Sequence, residues 1–371
     1  MKTNSAIFRY HSGIGGGGFA LVRSKTGKYE FIDFRETAPA AAFELMYSPP
    51  LSSSAASLVG GLASGTPGEL RGLEYLHKNY GCLPWKQLIQ PSIKLARYGF
   101  DVTSDLVKYM GSSAYLTDDV TWALDFAPNG TRLGLGDIIT RKRYANTLES
   151  IAEHGPDVFY TGAIANATIT ALKKSNGTMT LGDLANYTVA IRPYSNITYR
   201  GYKIYSGSAP SGGAVVLSTM KIVEGYDMST PSQLNLSTHY LDEAMRFAYG
   251  QRTLLGDPIF FPNLTAYQEK MVSEKTALEV REKIKPDSTL NSTEYNPSNY
   301  GILTDDGTSA TVASDKSGLT IAMTSTINTL FGSQLMVPET GVIMNNEMNG
   351  QSTQFRWKSD DMNFSSFLSR D

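Results

Sequence analysis

The sequence of 371 residues holds a single cysteine, Cys82, and only four histidines. One cysteine cannot close an internal disulfide, and the scattered histidines offer no zinc-ligand spacing, so disulfide-stapled and zinc-centred folds are set aside. Cys82 is expected to be a small buried apolar residue. Charge imbalance is also lacking: 33 Lys and Arg against 35 Asp and Glu leave a net charge of −2. That gives no electrostatic reason to expect nucleic acid or an acidic membrane as a partner. No apolar run is long enough to span a membrane, and the opening MKTNSAIFRYHS has no apolar core of signal-peptide length. Internal repeats and low-complexity tracts are absent.

What is present describes an ordinary globular protein with material for a large core, 41% hydrophobic and 18% charged. The length suggests two domains, although α/β folds of this size often form one. Nine asparagines, at 129, 166, 176, 186, 196, 235, 263, 291 and 363, open N-x-Ser/Thr triplets without an intervening proline. So many acceptors favour passage through the secretory pathway, to the cell exterior, the cell surface or a vacuole. The opening residues conflict with that, which is reconciled if the first residue shown is not the natural N-terminus.

Taken in order, Gly13-Ile14-Gly15-Gly16-Gly17-Gly18 formally satisfies GxGxxG. A dinucleotide site needs a strand before the glycines and a helix after them, whereas here the strand-like Phe19–Arg23 follows. The run reads instead as a tight backbone passage through the core, and no cofactor or metal is called for. A second strand, Tyr29–Phe34, ends at Arg35, a residue suited to bidentate capture of a carboxylate or to a salt bridge with a neighbour such as Glu36. From Pro67 to Phe100 the pattern is helical, including Trp85–Tyr98, and its charges read as solvated faces. Residues 101–190 continue as a mainly helical layer. Tyr199–Tyr205 alternates as a strand and leads through Ser208–Gly213 into a helix over Ala214–Glu224. That Gly-rich turn could nest an anion, but a tight strand-to-helix turn is the stronger reading. Another helix covers Thr238–Leu255, and 258–300 reads as polar and turn-rich.

The stretch 305–347 is the one the rest is organised around. Thr308–Ser314 and Leu319–Thr326 read as a hairpin joined by Asp315-Lys316-Ser317-Gly318. Facing residues of an antiparallel pair have numbers of constant sum, so Thr308 and Thr326 should face each other to within about one residue. Cleavage of the Gly307–Thr308 bond would make Thr308 an N-terminal nucleophile whose own α-amine, titrating at about 7.7–8.0, takes its proton. Taken alone, the residues favour the plainer alternative, a β-branched residue in a strand.

The motifs decide between them. GTS at 307–309, TSTIN at 324–328, FGSQ at 331–334 and TGVIMNNEM at 340–348 resemble the gamma-glutamyltransferase family of N-terminal-nucleophile hydrolases. SGIGGGGFALVR (12–23), DFRETAPAAA (33–42), GTPGELRGLEYLHKNYGCLPW (65–85), SAPSGGAVVLSTM (208–220) and YLDEAMRFAYGQR (240–252) resemble it in the same order. The resemblance implies an α/β (α+β) fold, the αββα sandwich of N-terminal-nucleophile hydrolases, expected here to be incomplete. It also implies a large-subunit-like region 1–307 and a small-subunit-like region from 308 to 349. It further implies self-cleavage before Thr308, support of the nucleophile by Thr326, and capture of the substrate α-carboxylate by Arg35. Asn328 and Glu347 are implied to bind the substrate α-amino group. The implied substrates are glutathione and other γ-glutamyl compounds, with water, amino acids or dipeptides as acceptors.

The family pattern breaks after Met348, where Asn349-Gly350 replaces a run ending in Asp, and 350–371 reads as a divergent tail. The later Ser-Ser and Gly-Gly motifs and the leading segment of the family are missing. The chain is therefore expected to be truncated at both ends and impaired in activity, with a non-catalytic glycoprotein remnant of the fold as the alternative.

Overall fold

The computed structural model of the chain describes residues 10–111, 113–261, 263–298 and 308–348. Gly307, Asn349, Gly350, the tail and Asn363 lie outside the described residues. Among the described residues, no helix is long and apolar enough to cross a membrane.

The glycine run opens directly into β1 (Gly17–Arg23), and a turn closed by Ser24 N donating to Lys28 O at 2.8 Å leads to β2 (Tyr29–Phe34). Then follow α1 (Glu69–Tyr80), α2 (Trp85–Tyr98), β3 (Phe100–Asp101), α3 (Ser104–Met110), α4 (Tyr115–Asp118), α5 (Val120–Phe126) and β4 (Ile138–Ile139). The helical layer continues as α6 (Lys142–His154), α7 (Asp157–Tyr160), α8 (Gly162–Lys174) and α9 (Leu181–Ala185). After β5 (Ala190–Arg192) come β6 (Tyr194–Tyr199), β7 (Tyr202–Gly207), α10 (Gly213–Val223) and α11 (Leu234–Arg252). Three helices, α12 (Leu264–Met271), α13 (Glu274–Arg281) and α14 (Ser292–Tyr295), precede the hairpin β8 (Ser309–Ser314) and β9 (Thr320–Thr326).

The central sheet has the order β5-β2-β1-β9-β8, so strands far apart in the sequence lie side by side, and among the described residues β8 forms an edge. Every pairing in it is antiparallel. One face buries Ala20, Val22, Ile32, Phe34 and Met323 against Leu76 of α1. On the other face Phe19 and Phe31 stack with centroids 5.7 Å apart. A Cβ on Gly207 of β7 would lie 2.5 Å from the Phe31 ring, so the β6–β7 hairpin needs glycine there to lie this close. Beyond the hairpin, α10 and α11 share a core built on Ile222, Val223, Ala244 and Phe247. Helix, sheet, sheet and helix thus stack in the expected αββα order. A larger cluster, including Ile93, Leu148, Ile151 and Leu172, ties α2, α6 and α8 together beside it.

Four expectations are corrected. The strand read over Tyr199–Tyr205 is a hairpin: Arg200 and Gly201 take φ of 47° and 85°, the left-handed pair that a two-residue turn requires, and Tyr199 pairs with Tyr202. The polar stretch 258–300 carries three helices, because Leu264, Met271, Ala277 and Val280 recur at helical spacing on a buried face and Ser273 caps α13 through Thr276 N. Cys82 is exposed, in the loop between α1 and α2 that also exposes Leu83. Finally, Glu69 is not on a solvated face of α1; it is 5% exposed.

Candidate active site

The hairpin register is Ser309 with Ser325 through Ser314 with Thr320. Continued by one residue, it sets Thr308 opposite Thr326, as the constant sum predicts. Thr308 is exposed just ahead of β8, whereas Thr326 is 2% exposed. The buried Thr326 hydroxyl is held in place: its Oγ1 accepts from Asn328 N at 2.9 Å. Asn328, two residues on, does not continue the extended strand that carries Thr326. Its φ of 73° turns the chain sharply, and its side chain donates to Asn346 O at 3.0 Å.

Beside β9 runs the glycine segment. A Cβ on Gly16 would lie 1.9 Å from Thr326 O, and one on Gly18 would lie 2.0 Å from Thr324 O. Glycine is therefore obligatory where β1 presses against the strand that carries Thr326. Gly17 pairs with Thr326, and Gly18 pairs with Phe34 on the other side. One further step along the second register brings Arg35 level with Gly17. Arg35, Gly17, Thr326 and Thr308 therefore stand in one row across the sheet.

Arg35 projects from the end of β2 and forms an ion pair with Glu347 through Nη2 and Oε1. Its Nε lies 3.9 Å from Glu36 Oε2, and its guanidinium lies over the Phe19 ring at 5.8 Å. Glu36, the neighbour the sequence suggested, is thus present but further off, and the partner at hydrogen-bonding range is Glu347, which the sequence did not pair with Arg35. Glu36 is almost fully enclosed, and neither carboxyl oxygen has a hydrogen-bond partner among the described residues. Burial first, and the Glu347 carboxylate second, hold its carboxyl well above the usual range, against the pull of Arg35. Glu69 behaves alike: burial pushes it up to about 8, offset in part by a hydrogen bond with Ser325.

Sequence reasoning missed Glu69 and the pair Asn345 and Asn346. Asn345 Oδ1 accepts from Gly65 N and Glu347 N, while its Nδ2 donates to Gly15 O and Gly65 O. Asn346 donates to Leu58 O and to Thr329 Oγ1. Asn345 thus fastens the NNEM segment to the glycine run and to Gly65 and holds the Glu347 backbone, while Asn346 ties the segment to Leu58 and Thr329. The available signals were two adjacent amides in an otherwise apolar run and their place within the TGVIMNNEM motif.

A basic fork facing a carboxylate, in one row with two hydroxyls, is chemistry for an amino-acid head group and an acyl acceptor. The sequence profile of gamma-glutamyltranspeptidase matches residues 4–366. The chain belongs to the gamma-glutamyltranspeptidase family. Its matched span runs past Asn349 into the stretch set apart as a tail. Over 365 residues it is 53% identical to the glutathione hydrolase proenzyme of Arthroderma benhamiae, covering 96% of this chain and 62% of that protein. The chain thus spans about three fifths of that relative's length. Among solved structures, gamma-glutamyltranspeptidase of Helicobacter pylori is 32% identical with a TM-score of 0.71, over 76% of this chain and 82% of that one. Cephalosporin acylase from Bacillus halodurans is 26% identical with a TM-score of 0.78, over 94% of this chain and 63% of that one. Family and fold agree: this is an N-terminal-nucleophile hydrolase architecture.

Proposed function

We propose that the chain is a gamma-glutamyltransferase polypeptide that acts on glutathione and related γ-glutamyl compounds, with Thr308 as its nucleophile. The observation that carries this reading is the row Arg35, Gly17, Thr326, Thr308. Neighbouring strands lie about 4.8 Å apart, so Arg35 and Thr308 are separated by about 14 Å of sheet. An extended arginine side chain and a γ-glutamyl group each span about 6 Å by ordinary bond lengths. A γ-glutamyl group held at Arg35 by its α-carboxylate therefore brings its γ-carbonyl to the two threonines.

The Arg35–Glu347 pair suits the other end of such a substrate. An α-amino acid carries one carboxylate and one ammonium, so it opens the pair and gives each member a new opposite charge. Asn328 lies next to this pair through Asn346 and can add an acceptor for the ammonium. In the reaction, hydrolysis of the Gly307–Thr308 bond frees the Thr308 α-amine. That amine accepts the hydroxyl proton as Oγ1 attacks the γ-carbonyl and the amide nitrogen leaves as an amine. Water or an acceptor amine, such as that of an amino acid or dipeptide, then takes the γ-glutamyl group from the ester. Thr326, held by Asn328 N, supports the attacking hydroxyl.

Regions 1–307 and 308–349 accordingly act as large-subunit-like and small-subunit-like parts. Entry to the secretory pathway fits the surface: all eight described N-x-Ser/Thr asparagines are exposed. Release of the chromogenic amine from a γ-glutamyl anilide tests the activity. Turnover by the unaltered chain that disappears in Thr308→Ala supports it; no turnover, or equal turnover in the variant, refutes it.

A further inference from the structure

Cutting before Thr308 creates a loose end at an awkward place. Among the described residues β8 is an edge strand that pairs with β9 alone, and new chain termini fray unless they are tied down. A nucleophile that must stay opposite Thr326 needs its neighbour fixed.

Ser309 is that neighbour, and it is 4% exposed although Thr308 beside it is open. Its Oγ lies 2.9 Å from Ser12 Oγ and 3.2 Å from His11 Nδ1, so two residues nearly 300 positions away converge on one hydroxyl. The same segment grips the chain just past β9: His11 O accepts from Ile327 N at 3.0 Å, and Tyr10 O accepts from Phe331 N. Tyr10 anchors the segment in turn. Its ring lies 4.6 Å from that of Tyr109 on α3 and stands edge-on to the His11 ring at 4.9 Å.

We propose that His11 and Ser12 are positioning residues: through Ser309 they clamp the first residue of β8, so that Thr308 keeps its place once its chain connection is gone. The clamp deepens the reading of Thr308 as nucleophile and rests on it for its catalytic meaning. It differs from packing in a checkable way. His11→Phe keeps a ring against Tyr10 and loses the polar atom, whereas His11→Asn keeps a polar atom near Nδ1 and loses the ring.

Hydrogen exchange of the amides at 309–311 is measured in the unaltered chain and in both variants, with circular dichroism confirming that each is folded. Where a protein is cut at Thr308, anilide turnover is measured as well. Loss of one such hydrogen bond should speed exchange at the start of β8 about tenfold in His11→Phe, leaving mid-β9 amides unchanged and His11→Asn close to the unaltered chain. In cut protein, kcat should fall about tenfold in His11→Phe with KM unmoved, since the clamp acts on the nucleophile and not on the Arg35 end. Equal exchange in His11→Phe and the unaltered chain overturns the clamp, as does His11→Asn loosening as much as His11→Phe. Should His11→Phe fail to fold, Ser12→Ala carries the same comparison, and unchanged exchange there overturns the clamp too. An unaltered chain that is never cut refutes the nucleophile reading, and the exchange data still decide the clamp.

Discussion

Glu69 offers the sharpest test of the buried carboxyls behind the hairpin. It lies in the first turn of α1, 5% exposed, and reaches Ser325 on β9. Burial raises its carboxyl from 4.5 to about 8. The folded protein therefore keeps a proton through a pH range in which the unfolded chain has released it. Such a group adds stability that is fully present below about pH 4.5 and lost progressively as pH rises to about 8. At 1.36 kcal/mol for each tenfold change, the full swing is about 5 kcal/mol. Glu69→Gln keeps the shape and cannot titrate, so it removes this slope. Glu36, shifted in the same direction chiefly by its own burial and the Glu347 carboxylate, stays in both proteins, so most of its contribution cancels from the difference and only the small part due to Glu69 does not. Urea unfolding at a series of pH values from 5 to 9 should show the unaltered protein losing stability relative to Glu69→Gln, by several kcal/mol across the range. Parallel stability curves would show that Glu69 is solvated or already ionised in the fold, and the argument from its burial would fail.

Two further predictions concern the frame of the site. Gly16→Ala would push a methyl group to within 1.9 Å of Thr326 O, so β1 and β9 must part. At least about 2 kcal/mol of stability should be lost by urea titration, and a change under 0.5 kcal/mol would mean the passage is looser than described. Arg192→Met leaves Asp33, 1% exposed, without the guanidinium whose Nε lies 2.5 Å from its Oδ2. A loss of about 3–5 kcal/mol should follow, with part of it recovered in the double variant Asp33→Asn, Arg192→Met. An unchanged midpoint in the single variant would contradict that.

Much of this was legible in the residues because local pattern and global fold agree there. Tyr29–Phe34 and Trp85–Tyr98 have the expected bounds. The hairpin around Asp315–Gly318 keeps its register because alternation and turn chemistry both fix it. What escaped was decided by tertiary packing. Glu69 follows Pro67-Gly68 at a helix start, where an acidic residue normally faces water; only the sheet above it makes the position dry. The turn at Arg200-Gly201 lacks the Asn-Gly or Asp-Gly signature and hid inside an aromatic alternation. Helices α12 to α14 are short and polar outside one narrow face, so their periodicity was drowned by turn formers. Asn345 and Asn346 are satisfied by backbone groups from Gly15, Leu58 and Gly65, partners that no local window contains.

Intact-mass analysis of the purified, deglycosylated chain decides whether Thr308 becomes an N-terminus. Two pieces are expected, the smaller beginning at Thr308, with one uncut species for Thr308→Ala. A single uncut chain in the unaltered protein would contradict the reading of Thr308 as nucleophile, because a row of Arg35, Thr326 and Thr308 that never frees its own α-amine has no nucleophile to offer.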